Sequence, residues 1–506
     1  MLLSVYGYFV KMLRSTDTAS GNPTATRHRA VLLATITFIS YAYFYQGGGW
    51  NQNSRFDLVR AITERHTLNI DAYHGNTQDK AFANGHYYSD KAPGVAFLAV
   101  PIALATRPAL RLAGVDPESP SGLVAISYFA TIFTIALPMA GACGLLFLIG
   151  LRLGATSSGS AFAAAAMGLA TPMWAYSTLL WGHALAGACL VFAFAAALRL
   201  AESSSSSHDV AWAMATGLAA GWATVTEYPA APASLIVALF ALSVVWRDGW
   251  PRRLRIAAGV AMGALPCVAL LLIYQHAAFG SAFRPGYSYY PAGAFPWMKR
   301  GYMGLTYPRI DVGLKLLFNC RRGLLFTGPV VLAAPFGLRW LWKQPATRTV
   351  AAAVIAIAAY YFLFNASFPG VPGWSYGPRY MSAGLPLLCL GLAPLCDRAP
   401  HSRRNLVAAL AVCGGLFTFM AVSTTPQPPD GFACPMFQFI VPSFFTGKLS
   451  LNAGSMLTSS DAGASHAGAF NLGEVLGLHG LASLLPLVAF WTATALLWRR
   501  MNRQAG

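Results

Sequence analysis

The chain has 506 residues, 56% hydrophobic and only 10% charged, with a mean hydropathy of +0.50. A soluble core of this length carries a far larger charged shell, so lipid is the solvent for most of it. The formal charge of +18 comes from 35 Lys and Arg lying in short clusters between apolar runs, which points to anionic lipid and away from nucleic acid as the partner.

Residues 1–29 open with an apolar decapeptide, followed by Lys11, Arg14 and a polar stretch without a small-residue cleavage pattern. That reads as a cytoplasmic tail, not a removed signal peptide. Thirteen apolar runs follow, at 30–47, 92–112, 123–151, 159–178, 183–201, 209–226, 229–246, 257–278, 324–343, 348–366, 380–396, 404–424 and 480–499. Each is about the length that crosses a bilayer as a helix, the form that satisfies every backbone polar group within its own segment. Three basic clusters mark cytoplasmic ends: Arg247, Arg252, Arg253 and Arg255; Arg398, Arg403 and Arg404; Arg499, Arg500 and Arg503. With both termini inside, the number of full spans is even. Run 92–112 is the weakest, carrying Pro93, Pro101, Pro108, Arg107 and Arg111; as a re-entrant element it leaves 12 spans, unless another long run hides two. The fold class expected is all-α and polytopic, a single domain over 30–499 with a short tail at 500–506.

Counting back from the basic ends places 48–91, 279–323, 367–379 and 425–479 outside, the three long loops gathered around one cavity. The stretch from Glu202 to Asp209 reads as a flexible linker, and no fixed-period repeat is present. Most of the eight cysteines lie in apolar runs, and none forms a Cys-x-x-Cys pair. Cys320 and Cys434 are the two in outside loops, and a disulfide between those loops is open to them.

The first outside loop is the most informative. Ser54 is placed to cap an amphipathic helix from Arg55 to Arg65, with Asp57, Arg60 and Glu64 on the polar face and Leu58, Ala61 and Ile62 on the other. An Asn84-Gly85 turn follows, then Tyr87, Tyr88, Asp90, Lys91 and Pro93. In the order of these pieces, and in their place after the first span, the chain resembles the GT-C glycosyltransferases, in the branch of the lipid A aminoarabinose transferases and protein O-mannosyltransferases. The resemblance covers about 50 residues at motif level. It implies a bundle of 12–14 transmembrane helices with juxtamembrane helices in the outside loops. It also implies a multi-pass enzyme of a bacterial inner membrane, its site facing the periplasm or cell exterior. The reaction implied moves a sugar from a polyprenyl-phosphate donor to a lipid, glycan or protein acceptor, with inversion.

Such a reaction needs a carboxylate to deprotonate the acceptor hydroxyl and cations to receive the leaving phosphate. Members of that family place the acid just before an Arg-aromatic pair, here Arg55 and Phe56, where this chain has Asn51, Gln52 and Asn53. Asp57 is the nearest carboxylate; it is the base on one reading and half of a capping box with Ser54 on the other. Asp90 or Asp71 ranks next, and Asp79 shares the loop. Lys91 stands where the family has a lysine on the donor phosphate, or snorkels at a span end.

The loop 279–323 holds Arg284, Lys299, Arg300, Arg309, Lys315, Arg321 and Arg322 against Asp311 alone, interleaved with aromatic residues. An anion should compensate such a loop, so Arg300 and Arg321 join Lys91 and Arg379 as phosphate ligands, unless ordinary anionic headgroups take that place. Arg55, His86, Tyr88, Glu227, Tyr376 and Tyr380 are expected around the sugar and acceptor. His183 reads first as a satisfied polar group. No cofactor is expected; no second acid adjoins Asp57 to complete an obvious metal pair. A flippase would place its charges in mid-span, whereas these carboxylates cluster at span ends; a polymerase or ligase with a lipid-diphosphate donor fits the basic loops equally well.

Overall fold

The computed structural model describes residues 23–203, 205–291, 293–371, 373–452 and 468–503. Most of the expected N-terminal tail, part of the loop 425–479 and the last three residues lie outside that set. The protein is an all-α polytopic membrane protein. Its described strands are two short antiparallel pairs, Lys80–Ala83 with His86–Ser89 and Phe44–Tyr45 with Phe470–Asn471.

Eight helices among the described residues are long and apolar enough to cross a membrane: Gly94–Leu112, Pro120–Arg152, Gly182–Glu202, Trp250–Phe279, Arg348–Ala366, Arg379–Arg398, His401–Thr424 and Gly480–Met501. The run expected to be weakest is thus a continuous 19-residue helix, and Arg107 within it is neutralised by Glu64. The long run at 120–152 is one helix of 33 residues and hides no second span. A π-helical turn at Ile132–Ala136 precedes Pro138, where the proline lacks an N–H and crowds the carbonyl four residues back.

The remaining expected runs form helices outside this set. Pro23–Ala42 and Ser206–Thr226 have 20 and 21 residues, Tyr228–Val244 is shorter, and two runs are broken. One stops at Leu169 and resumes as Met173–Ser177 around Pro172; the other is divided at Gly328–Pro329 into Leu324–Thr327 and the segment through Lys343. The two breaks pack on each other, where a Cβ on Gly328 would lie 3.0 Å from Pro172 Cδ. Ion pairs of Arg252 and Arg255 with Asp209 and of Arg152 and Arg199 with Glu202 tie helix ends together. They also make the serine-rich stretch a helix start capped by Ser205, not a free linker.

Helices Ser206–Thr226 and Trp250–Phe279 pack through a Gly-x-x-x-Gly on each: Gly217 and Gly221 on the first, Gly259 and Gly263 on the second. A Cβ on Gly217 would lie 1.9 Å from the carbonyl oxygen of Val260, and one on Gly263 would lie 2.0 Å from that of Met214. In lipid, where apolar burial does not drive helices together, such backbone approach is what holds a pair. Gly263→Val should therefore lower stability by about 1–3 kcal/mol through overpacking, read as a fall in the thermal unfolding midpoint in detergent. An unchanged midpoint would refute this account of the interface.

Candidate functional site

The first loop begins with helix Trp50–Arg65, whose N-cap is Gly49 at φ 103. The expected start at Ser54 is corrected: Ser54 lies inside the helix, because its hydroxyl is engaged by Ser89 at 2.8 Å and donates to Asp90 at 3.3 Å. The helix is also not an amphipathic element with a wet face, since every residue from Asn51 to Val59 is buried. After it, Asn84 and Gly85 at φ 51 and 83 turn the hairpin Lys80–Ala83/His86–Ser89, the left-handed pair that a two-residue hairpin requires. The hairpin delivers Ser89, Asp90 and Lys91 beneath the helix.

Helical periodicity sorts the polar residues of Trp50–Arg65 onto two faces. Asn51, Ser54 and Arg55 share one, and Asn53, Asp57, Arg60 and Glu64 the opposite one. The first face carries the site. Arg55, 1% exposed, donates to Glu227 Oε1 at 2.6 Å, to Asn51 Oδ1 at 3.1 Å and to the carbonyl of Ala92 at 3.1 Å. Glu227 is held at the break between Ser206–Thr226 and the 3-10 turn Tyr228–Ala230, in extended backbone just ahead of Pro229.

Lys91 Nζ is 2.9 Å from both Asp79 Oδ2 and Asp90 Oδ2 and 5.5 Å from the centre of the Tyr287 ring. Asp90 also accepts from the Tyr290 hydroxyl at 2.5 Å. The second loop comes this close because Gly286 has no side chain; a Cβ there would lie 2.8 Å from the Asp90 carbonyl oxygen. Burial pushes the Asp90 carboxyl up, against the pull of Lys91. Burial works against the Lys91 charge too, but Asp79 and Asp90 outweigh it and hold the ammonium above its ordinary value.

Arg379 completes the set from the start of its span. Its guanidinium lies over the rings of Tyr380 and Trp181, 4.9 and 5.8 Å from their centres, and Nη2 donates to the Tyr380 hydroxyl at 3.0 Å. Its Nε is enclosed without a hydrogen-bond partner, and among the described residues no carboxylate lies within ion-pair distance of it. His183 meets the same two rings edge-on, at 5.8 Å from Trp181 and 5.7 Å from Tyr380. The Trp181 indole N–H donates to Gln52 at 2.8 Å, so the loop helix also fixes this aromatic floor.

Of the residues expected at the site, Asp90, Lys91, Arg379, Arg55, Glu227 and Tyr380 converge. Six do not. Asp57 is on the far face of the loop helix, fully buried, one oxygen accepting from Asn76 at 3.1 Å and the other without a partner among the described residues; burial pushes its carboxyl well up. Arg321 pairs with Asp430 of the third loop at 2.7 Å, which also takes Arg322, so the second loop's cations meet a protein carboxylate. Arg300 is exposed. His86 sits on the outside of the hairpin, 2.6 Å from Asp71, and Tyr88 packs on Phe279. Tyr376 is buried behind the site against Thr418. The expected link between loops is present as the Cys320–Cys434 disulfide.

Asp79, weighed in the sequence only as one acid of the first loop, is bound to Lys91; Tyr287 and Tyr290, from the interleaved aromatic residues of the second loop, join the cluster; and His183, expected as a satisfied polar group, has a buried Nε2 without a partner among the described residues. Trp181 had no role assigned from the sequence. Among the described residues no three His, Cys, Asp or Glu side chains are grouped to hold a metal.

No family model and no curated protein matches the chain. Among solved structures it is similar to ArnT from Cupriavidus metallidurans in the apo state, with a TM-score of 0.48 and 16% identity over 86% of this chain and 74% of that one. It is also similar to ArnT from the same organism bound to undecaprenyl phosphate, with a TM-score of 0.47 and 16% identity over 81% and 68%.

The buried pair Arg55 and Glu227 yields a stability test. Arg55→Ala or Glu227→Gln should each cost about 3–5 kcal/mol by stranding the other charge, while the double replacement Arg55→Met/Glu227→Leu should recover much of that loss. Thermal unfolding in detergent measures all three; single variants as stable as the parent would refute the coupling.

Proposed function

We propose that this chain is a membrane glycosyltransferase of the GT-C kind, moving a pentose or hexose from a polyprenyl-phosphate donor to an acceptor lipid, glycan or protein on the extracytoplasmic side. The observation that carries the reading is Arg379, whose enclosed Nε has no partner and which has no carboxylate beside it among the described residues, on the same end of the bundle as Lys91. Such a guanidinium is set for an anion with two oxygens to offer. The resemblance carried by the first loop supports the donor phosphate as that anion.

In this reading Lys91 keeps one of its three N–H bonds for the phosphate after serving Asp79 and Asp90. The two acids keep the ammonium charged and fix its position, and Asp90 is a positioning residue: its oxygens are already taken by Ser54, Lys91 and Tyr290. As the bond from the anomeric carbon to the phosphate breaks, negative charge gathers on the leaving oxygens, where Lys91 and Arg379 stabilise it. Attack from the opposite face of the sugar inverts the anomeric centre. The Tyr287 and Tyr380 rings offer flat apolar surface to the sugar.

The test is transfer of radiolabelled sugar from purified polyprenyl-phosphate donors to membrane extract. Lys91→Ala and Arg379→Ala should each lose about 10²–10³-fold in rate per folded molecule; Lys91→Ala also strands the Asp79 and Asp90 carboxylates and should lower the thermal midpoint. Arg379→Lys should recover little, because a point charge cannot replace a planar fork. Asp57→Asn should transfer at close to the parental rate if stable. Donor neither bound nor consumed by the wild type would end this reading and favour a lipid-linked glycan flippase.

A further inference from the structure

The proposed reaction needs a group to take the acceptor proton, and none of the three carboxylates expected for that task is free for it, Asp71 being held by His86 and the Tyr87 N–H on the exposed side of the hairpin. Asp57 faces away from Lys91, and both oxygens of Asp90 are engaged. Asp79, like Asp90, is committed to Lys91. His183 is not so committed. It is 5% exposed, and its Nε2 is buried with no hydrogen-bond partner among the described residues. A buried polar atom without a partner is costly unless something else fills the position.

We infer that His183, oriented by Glu227, is the general base that receives the proton of the acceptor hydroxyl, an assignment that rests on the glycosyltransferase reading above. Three observations support it. Nδ1 lies 3.7 Å from Glu227 Oε1, within ion-pair range of a carboxylate that would stabilise the imidazolium. Glu227 reaches that position over Gly182, where any Cβ would lie 2.2 Å from Oε1, so the residue beside the histidine makes room for its partner. His183 and Arg379 also flank the same pair of rings, Trp181 and Tyr380, which sets the proton acceptor and the phosphate ligand beside one aromatic pair.

In the step itself, the acceptor oxygen forms a bond to the anomeric carbon. The bond from that carbon to the phosphate oxygen breaks, its electron pair staying on the phosphate. The hydroxyl proton passes to Nε2 of His183, and the imidazolium gives it up to water after product leaves. The Arg55–Glu227 pair then has a second role, since it holds the orienting carboxylate in place.

The charged and titratable groups facing His183 are Glu227, Arg55, Lys91 and Arg379, with Tyr176 and Tyr380 ring-on. Glu227 alone among the four charges favours the imidazolium. The transfer rate should rise with pH as His183 loses its proton, and this acid limb belongs to the histidine.

The experiment uses the full chain in lipid nanodiscs with undecaprenyl phosphate as binding probe and radiolabelled polyprenyl-phosphate sugar with membrane extract for transfer. His183→Gln should bind undecaprenyl phosphate within about threefold of the parent, transfer about 10²–10⁴-fold more slowly and lose the acid limb. Transfer within about threefold of the parent, or an acid limb that persists, overturns the assignment. Glu227→Asp keeps the charge beside Arg55 but withdraws the carboxylate from His183, so the acid limb should shift with binding retained; an unmoved limb overturns the role of Glu227 even where His183→Gln does not fold. Failure of the wild type to bind the probe would instead remove the donor reading, and the base with it.

Discussion

Two charges removed from water at the loop end of the bundle set the position of nearly everything else. Arg55 and Glu227 come from segments 172 residues apart and meet at 2.6 Å with almost no solvent access. Neither is tolerable there alone, because the desolvation of each is offset only by the other and by their remaining hydrogen bonds. Arg55 also binds the carbonyl of Ala92, so the same guanidinium that locks the first loop to the helix break fixes the chain one residue after Lys91. The site is therefore built around a constraint that acts before any ligand arrives.

Around that pair the long loops are held by short-range chemistry. Gly286 lets the second loop lie on the backbone of Asp90, and Tyr290 then bonds its carboxylate. The Cys320–Cys434 disulfide joins second and third loops, and Asp430 brings its own charge to Arg321 and Arg322 at the same junction. Gln427 of the third loop accepts from Gln52 at 2.7 Å, which in turn holds Trp181. Asn51, Gln52 and Asn53 are each spent on a hydrogen bond, Asn51 accepting from Arg55, Gln52 accepting from the Trp181 indole and Asn53 donating to the carbonyl of Asn76. That use is consistent with the proton being handled elsewhere, on His183.

Much was legible in local pattern. Apolar runs of bilayer length identify the helices because lipid allows their backbone few other forms. The Asn84-Gly85 dipeptide specifies a hairpin turn by backbone sterics alone, whereas Lys91 after it was expected on a phosphate or at a span end and not between Asp79 and Asp90. The pairing of Cys320 with Cys434 was accessible from loop placement. Run lengths did not reveal which apolar stretches are broken, since Pro172 and Pro329 interrupt helices whose composition still averages as a span.

By itself the sequence determined that this is a helical membrane protein and that its first long loop holds a hairpin turn and a dense set of charges, since hydropathy, turn sterics and charge are properties of neighbours along the chain. Only the tertiary structure decided which of its charges meet. Asp57 and Arg55 are two residues apart yet lie on opposite faces of one helix, and Arg321 is spent on a carboxylate 109 residues away. Lys91 acquires Asp79 across the hairpin, and His183 is left with an unsatisfied nitrogen between rings from separate helices. Pairing energies depend on distance and burial in three dimensions, and neither is encoded in the spacing of residues along a strand of text.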